Sequence, residues 1–428
     1  MSLFNLITSE EQLPRVHHAR PKYSVVNSTT DCRGPNFVKN GQIRFRYTTG
    51  GNTWIDPKRC YFRLRVRLEP KTAPSPQSDL KDKIAPSFNM AACCFQNIET
   101  QINGVVVHRQ SEFLTECDTL DKRIYNSGAW NSTIGEGTMM LIPDFTERKT
   151  FLDENKTFDI LWRPQGGIFD LEQGIPSGVN ITISLSPYNE NSLYQRVVEC
   201  NDDTRKAIHA QDFDFSVEDF TLNMAEVDGV PIQEGSVYYN LSQLNCLVDT
   251  LSTSSTGSQQ KVFDVKPSSN ALILAFSDSR IGADNRYSPS LFKINSRGSG
   301  TKELEKYLER YFVNYASLNK PSVDYNAKYD PNSKANPDYA YGNNLIESGA
   351  YFDTGGAEKI KDFQDHLGRY YYHSFQKAGN DRSTRVSTQF QFQQAVPNGR
   401  VMLFDYSRGV MKIDFRNSVC IGVQTQDV

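Results

Sequence analysis

The segment FRLRVRLE, residues 62–69, alternates apolar and basic side chains: Leu64, Val66 and Leu68 stand between and beside Arg63, Arg65 and Arg67. A period of two sends successive side chains to opposite faces of an extended chain. One face of this strand must enter a core while the other presents three cations. A helix would scatter both sets around its axis. The segment therefore commits this part of the chain to a sheet that is buried on one side.

The same grammar recurs along the chain. Alternating segments around 42–48 and 60–69 are separated by Gly50-Gly51-Asn52 and Asp56-Pro57, which reads as strand, loop, strand. PKTAPSPQSDLKDK follows as an exposed loop. CFQNIETQINGVVVH then predicts a hairpin with Asn103-Gly104 at its turn. SEFLTECDTLDKRIYNSGAW breaks the pattern: Phe113, Leu114, Cys117, Leu120 and Ile124 recur at helical spacing and predict a helix capped by Ser111. Strands are expected at 156–163 and in SGVNITISLSPY, where Val179, Ile181, Ile183 and Leu185 share a face.

Around 200–212 the chain is charged and poorly patterned, and strand grammar restarts at FDFSVEDFTLNMAEVDG. We place a domain boundary there: an N-terminal arm over 1–38, a first domain over 39–205 and a second over 206–428. The second domain reads as short strands at 212–225, 236–248, 261–266, 310–317, and in NALILAFSD, GRYYYHSFQ, TRVSTQFQFQQ and RVMLFDYSRGVMKIDF. Between them lie loops at 250–260, 277–302 and 319–360, too long to be turns. No repeat of solenoid or propeller length occurs. The expected class is all-β: two tandem antiparallel eight-stranded jelly-roll sandwiches with long loops and a few short helices.

Charge and composition narrow the function classes. Among 428 residues, 47 bases face 50 acids, a net charge of -3, which argues against a protein that wraps nucleic acid through a basic surface. No apolar run approaches the roughly 18 residues of a membrane span, so a water-soluble chain is expected. MSLFNLITSEEQLPRVHHARPK lacks the continuous apolar stretch of a secretory signal and reads as a mobile arm. Cys32, Cys60, Cys93, Cys94, Cys117, Cys200, Cys246 and Cys420 contain no CxxC pair, so free thiols are expected. The sequons at Asn27, Asn131, Asn155, Asn180 and Asn240 are read as chance.

Candidate chemistry is sparse. Asp353-Thr354-Gly355 has the form of an aspartic-protease triplet, but a bilobal enzyme needs a second copy and none exists; a loop turn is the plainer reading. Gly298, Gly300 and Lys302 lie before a segment with Leu304, Leu308 and Phe312 at four-residue spacing. This is not the spacing of a phosphate-binding loop, and a small helix packed on a sandwich is expected. His17, His18, His108, His209, His366 and His373 form no HxH or HExxH set. The vicinal Cys93-Cys94 beside Phe95 is expected to be buried. No catalytic, cofactor-binding or metal-ligating residues are assigned.

The order of segments resembles the double-jelly-roll major capsid proteins of the polinton, polinton-like virus, adintovirus and virophage group. IRFRYTTGGNTWIDPKRCYFRLRVRLE, with Trp54-Ile55-Asp56, is similar to the opening strand, loop tetrad and long strand of that group. IETQINGVVVHRQ matches its hairpin, and 111–126 its helix. ALILAFSDSRIGADNRYSPSLFKI, YFVNYASLNKPSVDYN, DRSTRVSTQFQF and RVMLFDYSRGVMKIDFRNSV are similar in order and spacing. Pro57 departs from the aliphatic residue usual there and puts the start of its strand in question. The resemblance implies a structural subunit without enzymatic activity or cofactor. It implies a homotrimer whose six sandwiches form a pseudo-hexagonal tile of an icosahedral DNA-virus shell. Its partners would be neighbouring capsomers and vertex (penton) and minor capsid proteins, with no small-molecule substrate and at most local contact with nucleic acid. The chain would reside in the virion capsid after synthesis in a host cell.

In such a fold Arg63, Arg65 and Arg67 are expected on the outer face of a first-domain sheet, contacting acids of the adjacent jelly roll or a neighbouring subunit. A solvated face and genome phosphate are the other readings, and near-neutral net charge weighs against phosphate. Two rival functions stand beside this one. A minor capsid or vertex protein would be a single jelly roll, and a glycan-binding or glycan-acting sandwich would carry acids and exposed aromatics in a groove.

Overall fold

The structure is a computed structural model that describes residues 21–70, 83–200, 212–252, 257–278, 292, 308–321, 339–350, 358–360, 362–375, 383–392, 396 and 399–426. Its first part contains strands β1 (Lys22–Asn27), β2 (Ile43–Thr48), β3 (Thr53–Ile55), β4 (Tyr61–Pro70), β5 (Ile84–Pro86), β6 (Phe95–Ile102), β7 (Val105–Gln110), β8 (Thr157–Trp162), β9 (Asn180–Pro187), β10 (Val198–Cys200) and β11 (Phe213–Asp228). One sheet runs β1-β11-β4-β8 with β3 also on β11, and the facing sheet runs β2-β9-β6-β7. β5 and β10 form a small separate ribbon. Every strand pair is antiparallel.

Alternation builds the core between these sheets. Phe62, Leu64, Val66 and Leu68 of β4 are fully buried, as are Ile43 and Phe45 of β2 and Ile183 and Leu185 of β9. The Phe62 ring lies 5.3 Å from Phe45, 5.7 Å from Trp162, 5.6 Å from Phe169 and 5.4 Å from Phe220. These rings come from both sheets and staple them together. The predicted hairpin is present: Asn103 and Gly104 take φ of 49° and 82°, the double left-handed turn that joins two twisted strands.

Pro57 interrupts, and does not abolish, the long strand that runs along β11. β3 and β4 both pair with β11, and between them Pro57–Arg59 form one 3-10 turn capped by the Asp56 carboxylate, which accepts from the Lys58 N–H. The Asp56 N–H still reaches the Ala225 carbonyl at 2.9 Å. The Ala225 N–H donates to the Cys60 sulfur at 3.4 Å. A residue that cannot donate thus sits where the ladder has been rerouted.

The second part holds β12 (Glu234–Thr250), β13 (Gln259–Asp264), β14 (Ser269–Asp278), β15 (Leu308–Tyr315), β16 (Leu318–Lys320), β17 (Tyr370–Ser374), β18 (Arg385–Phe392), β19 (Gly399–Arg416) and β20 (Val419–Gln426). Here β12-β19-β14-β17, with β20 on β19, faces β13-β18-β15-β16. With β3 and β4 counted as one interrupted strand and β20 as an appendage, each sandwich sets four strands against four, the expected all-β architecture. β12 and β19 are long enough to serve both cores. Leu244, Val401 and Phe404 pack in the second core, whereas Tyr239, Leu241, Met411, Ile413 and Phe415 pack in the first.

Four expectations change. β11 lies beyond the expected boundary at 205/206, yet it pairs with β4 from Phe213↔Pro70 to Asn223↔Tyr61 and completes the first sandwich. The sheets therefore divide between Asp228 and Glu234. Part of the expected arm is a strand, since β1 pairs with β11 from Lys22↔Glu226 to Asn27↔Thr221. Leu308 and Phe312, expected in a helix, belong to β15, which answers to the strand expected at 310–317: Tyr311, Val313 and Tyr315 alternate into the core and pair with β18. The central helix is Leu114–Tyr125, with Phe113 at its N-cap in the left-handed region and no side-chain cap, so Ser111 does not cap it.

Candidate functional site

Arg63, Arg65 and Arg67 stand on the outer face of β4, their side chains 38%, 49% and 52% exposed. Their acids come from the same sheet. Arg63 donates to Asp159 of β8 at 2.9 Å, Arg65 lies 3.9 Å from Glu218 of β11, and Arg67 donates to Glu69 of β4 itself at 3.0 Å. Glu218 occupies the irregularity between Val217 and Asp219, where β11 carries one residue more than β4. Lys156 also binds Glu69, and together Lys156 and Arg67 hold that carboxyl below its usual range. The ladder is thus internally neutralised. Among the described residues it meets no acid of the second sandwich.

Polar chemistry concentrates instead where the sandwiches meet, around the central helix. Leu114 packs in the first core, and Cys117, Leu120 and Ile124 in the second. A helix wedged between two cores buries its polar residues too, and each needs a partner. Glu116 lies 3.3 Å from Arg400 of β19 and 3.7 Å from Arg196. Asp118 accepts from Lys122, Asn89, the Trp162 indole and the Gln165 backbone. Tyr125 and Tyr372 share a hydrogen bond of 3.2 Å between their hydroxyls. Arg123 makes a bidentate pair with Glu358, Nε to Oε1 at 3.0 Å and Nη2 to Oε2 at 3.1 Å.

Burial sets the titration of this seam. It pushes the Glu358 carboxyl up to about 7 against the opposing pull of Arg123. It raises Asp170 to about 6, although the Gly166 N–H donates to that carboxylate. It also raises Asp121, with Asp170 adding to the effect. A cleft of about 40 Å³ beside the pair, lined by Phe88, Arg123, Glu136, Glu358 and Asp362 among others, has room for a few waters.

Periodicity could not reveal this site. Reading Leu114, Cys117, Leu120 and Ile124 as a stripe implies a solvated opposite face, whereas Glu116, Asp118, Lys122 and Arg123 are all buried. The one available signal is five charged residues, Glu116, Asp118, Asp121, Lys122 and Arg123, crowded among Thr115, Thr119 and apolar neighbours.

The other candidates resolve simply. Cys93 and Cys94 are fully buried, and no disulfide links any of the eight cysteines, all of which are among the described residues. Burial raises the Cys94 thiol. His108 and His373 are buried, and His366 lies 3.8 Å from Asp144. His17, His18, His209, Gly298, Gly300, Lys302, Leu304 and the Asp353-Thr354-Gly355 triplet lie outside the described residues. Among the described residues no group of three or more His, Cys, Asp or Glu could hold a metal ion, and no helix is long and apolar enough to cross a membrane.

No family model and no curated sequence matches the chain. Solved structures do. A chain of the Sputnik virophage, determined by cryo-EM, superposes with a TM-score of 0.59 at 10% identity, over 100% of this chain and 92% of that one. The Faustovirus major capsid protein gives 0.51 at 8% identity, over 96% and 94%. The mavirus major capsid protein gives 0.50 at 10% identity, over 100% and 94%. Identities this low speak for shared architecture alone. Over its whole length, both sandwiches included, this chain has the double-jelly-roll fold of those capsid proteins.

Proposed function

We propose that this chain is a major capsid protein, a structural subunit without catalytic activity, that forms homotrimeric pseudo-hexagonal capsomers of an icosahedral DNA-virus shell. The observation that carries this reading is the joining of two sandwiches of like architecture into one chain by β12 and β19, whose residues pack in both cores. Three such chains supply six sandwiches. A threefold assembly needs two different faces per chain that complement each other, and two sandwiches held side by side provide them. A stable interface of this kind should bury more than about 2,000 Å².

The self-neutralised arginine ladder fits a protein–protein face better than a phosphate-binding one, because phosphate binding needs an excess of cations on one surface. Contact with nucleic acid is accordingly local at most. Neighbouring capsomers and vertex and minor capsid proteins are the partners, and the virion capsid is the site of residence.

Light scattering of the purified protein followed by negative-stain imaging tests this. A species of three times 48.6 kDa with a hexagonal outline, or spontaneous shells, is expected. A stable pentamer would replace the reading with a vertex protein, and a monomer that binds glycans would replace it with a lectin or glycan-acting enzyme.

A further inference from the structure

Residues 358–360 and 362–369 belong to the second half of the chain, yet the first half grips them at three points. The first is Arg123 of the central helix. Beyond its two bonds to Glu358, its guanidinium donates to the carbonyls of Gly368 at 2.7 Å and Leu367 at 3.4 Å. The rings of Phe292 and Tyr370 bracket it at 5.5 Å and 4.9 Å. The second is Leu367, which joins Phe88, Met139 and Leu141 in a small apolar cluster of its own. The third is His366, whose Nε2 lies 3.8 Å from Asp144.

We infer that the Arg123–Glu358 pair is a latch that fixes the orientation of the two sandwiches relative to each other. β12 and β19 already join the sandwiches along one ribbon, but a β ribbon twists readily about its own axis. The Tyr125–Tyr372 hydrogen bond and the Arg123–Glu358 pair attach the sandwiches away from that ribbon and oppose such twisting. Apolar packing is non-directional and tolerates small rotations. A bidentate guanidinium–carboxylate pair is directional, and with Arg123 and Glu358 only 3% and 5% exposed, any slip would leave a charge buried without its partner. The carbonyls of Leu367 and Gly368 add two more directions to one guanidinium. The latch specifies geometry more than it adds stability, because desolvating the two charges offsets much of their attraction.

The inference stands on the isolated chain and does not require the capsomer reading, so the two can fail separately. Hydrogen exchange on an Arg123→Met, Glu358→Leu double variant tests it. The amides of Phe292, Phe363 and Leu367 donate to Leu367, Lys359 and Asp362 carbonyls respectively and report on the gripped segment. Their exchange should rise by about tenfold or more, while β4 amides keep the parent's rates and the unfolding midpoint stays close to the parent's. Unchanged exchange at all three amides would overturn the latch. Equal acceleration in β4 would overturn it as well, since the pair would then be a determinant of global stability. If the double variant does not fold, Arg123→Lys decides, because lysine keeps the charge and loses the fork. Faster exchange confined to the same three amides supports the latch, and parent rates refute it.

Discussion

Trp54 leans directly on Gly229: a methyl group added to that glycine would stand 2.0 Å from the indole Cδ1. The indole N–H donates to the Val230 carbonyl at 3.1 Å, and the Gly229 N–H donates to the Asn52 carbonyl at 2.8 Å. The link from β11 to β12, where the chain leaves one sandwich for the other, is therefore laid across a first-sandwich tryptophan that is itself buried. Gly229→Ala should cost about 1–3 kcal/mol through overpacking, read as a lowered urea midpoint. Gly137→Ala is the matched control: nothing lies within 4 Å of a methyl there, and stability should hold or rise by up to about 1 kcal/mol. Equal stability of the Gly229 variant and the parent would show that the link is free to move off Trp54.

Buried histidines and buried carboxyls pull stability in opposite directions with pH. Burial lowers His108 and His373 to about 4, from an unfolded value near 6.5. Their folded state resists the proton, so their contribution is complete above about 6.5 and is lost as pH falls through 4. Asp170 and Glu358, raised to about 6 and about 7, favour the proton in the folded state. Their contribution is complete at low pH and is lost as pH rises through those values. The two effects partly cancel in the parent, and variants separate them. The stability gap between parent and Glu358→Gln should narrow from pH 5 to pH 8, whereas the gap between parent and His373→Gln should narrow as pH falls toward 4. Thermal unfolding across that range reads both, and a gap that widens in either series contradicts the assignment.

Replacing Arg63, Arg65 and Arg67 together by glutamine separates an intrachain from an intersubunit role. Exposed pairs contribute little to folding, so the unfolding midpoint should stay near the parent's. Trimer dissociation, followed by analytical ultracentrifugation at low salt, should be about tenfold more favourable, and added salt should weaken the parent's trimer toward that of the variant. A trimer and a midpoint both unchanged would remove the ladder from the subunit contact.

Some of this was legible residue by residue. The alternation of 62–69 placed Leu64, Val66 and Leu68 inside and the arginines outside; Asn103-Gly104 announced its turn; Phe95 beside Cys93-Cys94 pointed to buried thiols. Each of these readings uses neighbours a few residues apart. The errors share one origin. Leu304, Leu308 and Phe312 suited a helix by spacing, but β15 is drawn out by its ladder to β18, a partner some eighty residues away: Arg310 pairs with Gln391 across |i−j| of 81. Similarly, Lys22–Asn27 is a strand because β11 offers it an edge, and no pattern within the segment declares that edge.

By itself, then, the sequence determined most of the extended stretches, the apolar face of each, and that two sandwiches are built in order. These properties follow from local periodicity and turn chemistry, which each segment carries alone. Tertiary structure alone decided that β11 returns to the first sheet, that the arginine ladder meets acids of its own sheet, and that a helix read as amphipathic is buried all round. It also brought Arg123 to Glu358, across 235 residues of chain. Such pairings depend on which cores compete for a segment and which buried charges must be satisfied together, and that competition exists only once the chain has folded back on itself.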